Sequence, residues 1–275
     1  MEWHLPLSPV EQRQWHMKRS PSWSGSVVAL LFGIALSVVI WLPASVPTVM
    51  VAKITEGRLD FRHERGTVWA GSTELALVKP NKSDDSISIP GRIHWRWRWQ
   101  GWIPELVVNS DCCFSQPVTF KLILGSEQRQ LSMSDVKMNF PLAILEGLGA
   151  PFNTLKPHGD LQIKTRKIKL TLADRMAKVS GDVEFEIGSL SSVLSQVKPI
   201  GTYTVTAKGH GDRISFTLST RSGALQLSGT GELRQKTFRF NAEATSSPGY
   251  ELAMANLLNV IGRRSGNRSI ISMER

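Results

Sequence analysis

The sequence predicts a mainly β protein: one N-terminal transmembrane helix, then a long antiparallel β-sheet domain with a few short helices. Three observations predict it. No Asp, Glu, Lys, Arg or His occurs between Arg19 and Lys53. From Lys53 onward apolar and polar residues alternate with period two, as in half-buried strands. Gly and charged residues interrupt that alternation at short intervals, as hairpin turns do.

Residues 1–20 read as a cytoplasmic tail carrying Arg13, Lys18 and Arg19. Its EQRQWHMKR run is either a short amphipathic surface helix or plain tail. The core of the uncharged window, residues 27–42, reads VVALLFGIALSVVIWL. That makes about 24 Å of helix, short of a ~30 Å hydrocarbon core. Extension from Trp23 to Pro43 gives roughly 31 Å, so the span is set at 21–43. Trp23 and Trp41 then fall at the two interfaces, where indoles prefer to sit. Pro43 and Pro47 end the helix, because proline lacks the N–H and clashes with the preceding turn.

A cleaved signal peptide and a buried core helix are the rival readings. The apolar run exceeds the usual signal core of about 7–15 residues. Leu42 is also too large for a small-residue cleavage pattern ending at Ala44. An uncharged run this long does not suit a core helix. Lys53, Arg58, Arg62 and Arg65 follow the span, so the positive-inside count does not orient it. Long domains translocate largely regardless of charge. The large domain is therefore placed on the far side, which in a bacterium is the periplasm.

After a linker at 44–52, residues 53–262 form the predicted β-rich domain. Val183, Phe185 and Ile187 alternate with Glu184 and Glu186; Tyr203, Val205 and Ala207 with Thr204 and Thr206. Ile214, Phe216 and Leu218 alternate with Ser215, Thr217 and Ser219; Leu225 and Leu227 with Gln226 and Ser228. Residues 161–172 alternate too, but their apolar phase shifts between Ile163 and Ile168, which predicts a bulge near Arg166 and Lys167. Gly181-Asp182, residues 209–212 and Ser222-Gly223 read as turns. Short helices are predicted at 141–148, with Pro141 at a favourable first position, at 189–197, and at 250–261, where Gly262 stops it. The basic tail 263–275 is expected to be loose. Two β subdomains and one continuous sheet both fit this pattern.

The net charge of +10 favours anionic surroundings such as lipid headgroups. The cations are spread along the chain and no nucleic-acid motif occurs, so nucleic acid is not an expected partner. The six His are scattered, and no HExxH, GxSxG or GxxxxGKS motif is present. Neither a metal nor a cofactor is expected, and an enzyme would need a converged polar set that no spacing suggests. Asp84-Asp85 reads as a solvated loop.

Three constellations stand out. The hexapeptide GTVWAG at 66–71 reads as a glycine-bounded hairpin strand, with Thr67 and Trp69 on one face and Val68 on the other. Trp69 either caps the core or meets a partner. Ile93, Trp95, Trp97 and Trp99 alternate with His94, Arg96 and Arg98, giving one indole face and one cationic face. That indole row is either packed under another layer or offered as an interface, where Trp and Arg are enriched. Cys112 and Cys113 are the only cysteines. They form a vicinal disulfide, bridge another chain, or stay as buried thiols.

GRLDF from Gly57 and GTVWAG at 66–71, placed just after a proline-ended membrane helix, resemble the type II secretion system protein N family. The runs GDVEF from Gly181, IGTY from Ile200, GALQLSG from Gly223 and LLNVIG from Leu257 are similar to that family's second half. The resemblance implies a non-catalytic accessory of the machine that exports folded proteins across the outer membrane. It also implies an inner-membrane, single-pass location and other type II secretion subunits as partners. The stripe residues Trp95, Trp97 and Trp99, with Arg96, Arg98 and Trp69, are the candidate contacts. A weaker likeness to AsmA-type envelope proteins implies instead an apolar β-groove that handles phospholipid.

Overall fold

The computed structural model describes residues 23–78, 86–126, 128–149, 152–173, 176–235 and 237–274. The cytoplasmic tail 1–20 and the Asp84-Asp85 loop lie outside them. The described residues up to Trp41 form one unit and those from Leu42 onward form another.

The first unit contains helix α1, Trp23–Ile40, which is 18 residues long and uncharged. Its described side chains are exposed on every face. At 1.5 Å per residue it measures about 27 Å, just under a ~30 Å hydrocarbon core. Among the described residues, no helix is long and apolar enough to cross a membrane. The predicted start at 21 lies outside the described residues. The helix stops at Ile40 rather than 43, with Trp41 N–H still donating to the Ser37 carbonyl at 3.0 Å.

The second unit opens with a correction. The predicted linker 44–52 is a helix, α2 (Ser45–Ile54). Pro47, expected to end the first helix, sits instead in the first turn of α2, where a missing N–H leaves no bond unmade. Thr48 fixes this helix to the sheet by donating to the Glu64 carboxylate at 3.0 Å.

The strands then run β1 (Leu59–Gly66), β2 (Ala70–Val78), β3 (Ser86–Ser88), β4 (Ile93–Gln100), β5 (Ile103–Ser110) and β6 (Val118–Leu124). Next come β7 (Gln128–Met133) and β8 (Val136–Pro141), a 3₁₀ helix at Leu142–Leu148 and a single turn, α3 (Phe152–Leu155). The second half holds β9 (His158–Ala173), β10 (Met176–Ser191), β11 (Gly201–Gly211), β12 (Arg213–Gly223), β13 (Leu225–Arg234) and β14 (Thr237–Ser246). Helix α4 (Glu251–Ile261) precedes β15 (Arg263–Ser265) and β16 (Arg268–Glu274).

All of these strands join one sheet in the order β1-β2-β4-β5-β6-β7-β9-β10-β11-β12-β13-β14-β16-β15, with β3 on β2 and β8 on β9. Continuity, not two subdomains, is therefore the outcome. It comes from the long β9, whose first half pairs β8 and whose second half pairs β7. The segment between the two short strands faces the predicted bulge. Lys167 adopts φ +51° there, and the register slips opposite Gly181.

Three further expectations are corrected. Gly181-Asp182 is not a turn but lies inside β10, because Gly181 at φ +111° follows the bulge on β9. The predicted helix 189–197 is the end of β10 and a loop; Ser192 anchors the loop by donating to the Leu155 carbonyl. The tail 263–275 is not loose over its described part. Its residues 268–274 alternate and pair with β14, while β15 folds back on β16.

The register puts the apolar phase of every long strand on one face. Phe61, Leu75, Trp95, Leu106, Phe120, Leu131, Leu170, Val179, Leu218, Phe240 and Ile271 lie along it, traced through successive pairs. The helices cover stretches of that face. Met254, Leu257 and Leu258 of α4 pack on Ile200, Tyr203, Leu225 and Ala244 in the main core. Buried Tyr203 donates to the Leu225 carbonyl at 2.9 Å.

Candidate interaction surface

The hexapeptide at 66–71 is a tight turn, not a strand with alternating faces. Gly66 ends β1 at φ +89°, a conformation that side chains disfavour. Thr67 Oγ1 accepts from the backbone N–H groups of Trp69 and Ala70, at 3.2 and 3.3 Å. Gly71 lies beneath the Trp95 indole, and a Cβ there would meet Cζ2 at 2.5 Å. The indole Nε1–H donates to the Val68 carbonyl at 3.0 Å. The two glycines thus form the turn and make room for one tryptophan.

The turn also receives the chain from the N-terminal side. Val68 N–H donates to the Leu42 carbonyl at 2.9 Å, and Ala44 N–H to the Gly66 carbonyl at 3.2 Å. Trp97 N–H donates to the Trp69 carbonyl at 2.8 Å. Entry point, hexapeptide turn and tryptophan strand therefore meet at one end of the sheet.

The tryptophan stripe divides. Trp95 and Trp97 are half-buried and line an apolar recess of about 270 Å³ with Pro47 and Val51 of α2, Phe61, Leu106 and Val108. Trp99, one step further out, is 67% exposed. Trp69 is 39% exposed. Arg96 and Arg98 are exposed on the opposite face. Arg98 pairs in register with Glu105, but that carboxylate is held by Lys121 at 2.7 Å. The residue the sequence reading passed over is Trp102, at the β4–β5 hairpin tip and 97% exposed. Its position beside Gly101, a residue type that favours turns, was the available signal.

Cys112 and Cys113 follow β5 in a turn and are bonded to each other, with Cα atoms 3.7 Å apart. The Cys113 carbonyl accepts from Asn139 N–H at 2.8 Å, which ties this turn to β8.

The polar face carries two charge networks. Lys164 lies 3.2 Å from both Glu184 and Glu186, and Arg221 reaches Glu186 at 3.3 Å. Hydrogen bonds that Lys164 donates to Glu186 and Glu184 hold its ammonium above the ordinary pKa. Nearer the N-terminus, Glu74 is met by His63 at 2.9 Å and by Arg92 at 2.7 Å, and Asp111 by His94 at 2.9 Å. The His63 hydrogen bond lowers the Glu74 pKa, and the His94 hydrogen bond lowers that of Asp111. These pairs lie on exposed strand surface and stitch neighbouring strands. Among the described residues, no group of three or more His, Cys, Asp or Glu is placed to hold a metal ion.

On the apolar face a second recess of about 310 Å³ opens between α4, the 3₁₀ helix, α3 and the sheet. Leu145, Phe152, Ile187, Leu218, Phe240 and Met273 are among its walls.

Comparison with curated proteins and with solved structures gave no match. A family model does match, over residues 58–271, and its family is described as type II secretion system (T2SS), protein N. The match starts at the first residue before β1 and ends within β16, so it covers nearly the whole sheet. It ties the chain to type II secretion and to association with that system's other components. By this match over most of its length, the chain belongs to the type II secretion system protein N family.

Proposed function

We propose that the chain is a non-catalytic inner-membrane subunit of the type II secretion apparatus. The region 21–43, including α1, spans the membrane once; the tail 1–20 is cytoplasmic and the sheet stands in the periplasm. The observation that carries the reading is the open sheet. Its order begins at β1 and ends at β16 and β15, and the three-residue β15 pairs only Arg268, Ser269 and Ile270 of β16. Such edges offer rows of backbone donors and acceptors to an added strand. A partner subunit docking by strand addition would use main-chain bonds for affinity and neighbouring side chains for selectivity.

In-cell photocrosslinking from Arg65 on β1 and Glu274 on β16 tests this. Adducts with other secretion subunits support strand-edge docking. A purified apparatus that lacks the chain, with no such adduct from either edge, refutes it. Resistance of the full chain to alkaline extraction tests the membrane span separately.

A second reading is favoured by one observation, the apolar recess of about 310 Å³ on a face that runs across the whole sheet. Recesses of this size and lining suit small apolar ligands. In this reading the chain holds a phospholipid acyl chain. Native mass spectrometry of the detergent-purified protein checks it: a bound phospholipid mass supports the reading, and its absence with a fully protected core sinks it.

A further inference from the structure

The hairpin end of the N-terminal half of the sheet carries an apolar rim that none of the described helices covers. Trp99 and Trp102 belong to the β4–β5 hairpin, Leu124 ends β6, and Leu172 lies at the end of β9. Leu124 is 65% exposed, and Leu172 and Met176 are also exposed. The register aligns them: Trp99 opposes Pro104, Leu124 opposes Arg129, and Arg129 opposes Leu172. Arg98, Arg129 and Lys178 stand exposed among them, and none has an ion-pair partner among the described residues. The same end of the C-terminal half differs. There the hairpins are polar and their charges are paired, Arg213 with Glu232 and Arg234 with Asp212.

We infer that this rim seats on the surface of an anionic phospholipid bilayer. Three features select a bilayer as the occupant. Indoles at a hairpin tip flanked by cations match the chemistry of the headgroup region, where Trp concentrates and each Lys or Arg adds attraction to anionic lipid. Trp99, Leu124 and Leu172 project from the sheet's apolar face, Met176 from the other face and Trp102 from the tip, a rim shape that suits insertion into a headgroup layer better than a flat protein contact. The rim also lies at the end where the chain enters the sheet: Leu42 is bonded to Val68, beside Trp97. From Trp97 the strand runs three residues further to Gln100, about 10 Å, to bring Trp102 to the tip. Seated so, the sheet stands with its hairpin end on the membrane and its apolar face open to that surface.

This inference gains from the membrane span proposed above but is tested apart from it. The probe is a photoreactive phenylalanine analogue placed in the full chain at Trp102 or Leu124. The control position is Val193, 56% exposed in the loop at the other end of the sheet. Each variant is reconstituted in vesicles of phosphatidylethanolamine and phosphatidylglycerol and illuminated. Phospholipid adducts from 102 and 124 with none from 193 are expected. No lipid adduct from 102 and 124, or equal labelling from 193, overturns the docking even if the chain resists alkaline extraction. Lipid adducts from a chain that alkali does extract keep the docking and refute the span. In cells, adducts from 102 to a secretion subunit in place of lipid also overturn it.

Discussion

The Asp135 carboxylate accepts a hydrogen bond from the Lys167 backbone N–H at 2.7 Å. Asp135 lies in the break between β7 and β8, and Lys167 is the left-handed residue of the β9 bulge. One side chain thus takes the place of the missing ladder at the point where two short strands meet one long one. Removing it leaves the amide to water at a partly open site. Asp135→Ala is expected to cost about 1–2 kcal/mol, toward the low end of the ~1.5–3 kcal/mol for hydrogen bonds to charged groups because the site is exposed. Asp135→Asn should recover part of that. Urea unfolding of both variants is the check, and an unchanged midpoint for Asp135→Ala would show that the bulge holds itself.

The tryptophan stripe should split in stability as it does in burial. Trp95→Ala removes a ring seated over Gly71 and bonded to Val68, and is expected to cost about 2–3 kcal/mol, below the ~3–5 kcal/mol of fully buried aromatics. Trp99→Ala and Trp102→Ala remove exposed rings and should stay within about 0.5 kcal/mol. Thermal melts of the three variants decide. A large loss at Trp102 would mean that its ring packs in the folded protein and is not free to meet a membrane.

Acid should weaken the N-terminal half through two carboxylates. Glu74 and Asp111 have pKa values held below their ordinary 4.5 and 3.8, first by hydrogen bonds from His63 and His94. A depressed carboxylate pKa favours the folded state when the group is ionised. That contribution is complete above the ordinary values and is lost as pH falls through the lowered ones. Stability should therefore drop below about pH 4.5, and His63→Gln with His94→Gln should flatten the drop. Unfolding midpoints measured from pH 6 downward test the sign.

Tyr203→Phe is expected to cost about 1–2 kcal/mol, because the buried Leu225 carbonyl loses its donor. The same burial raises the phenol's pKa above its ordinary 10.0. Denaturant titration gives the cost. A neutral substitution would mean that another donor reaches Leu225.

Much of the fold was legible because alternation reports directly on a two-faced sheet. The strands around Phe185, Val205, Phe216 and Leu227 lie where the pattern put them, and the Ile163–Ile168 phase shift marked the true bulge. Gly181 was misread because a glycine facing a bulge and a glycine in a hairpin turn look alike in sequence: both need φ > 0. The segments 44–52 and 263–275 were misread because each is short and ordered mainly by what it packs on. Pro47 signals a helix end or a helix start according to its neighbours.

The sequence by itself determined the uncharged N-terminal segment, the strand character of the rest, the two faces of each strand and the family. These follow from local composition and period, which do not depend on distant partners. Only the tertiary structure decided that all strands form one sheet, that Trp95 and Trp97 pack while Trp99 and Trp102 project, and that the apolar phases share one face. Those properties depend on register between segments far apart in the chain. A one-residue slip in any pair would reverse the faces without changing a single local pattern.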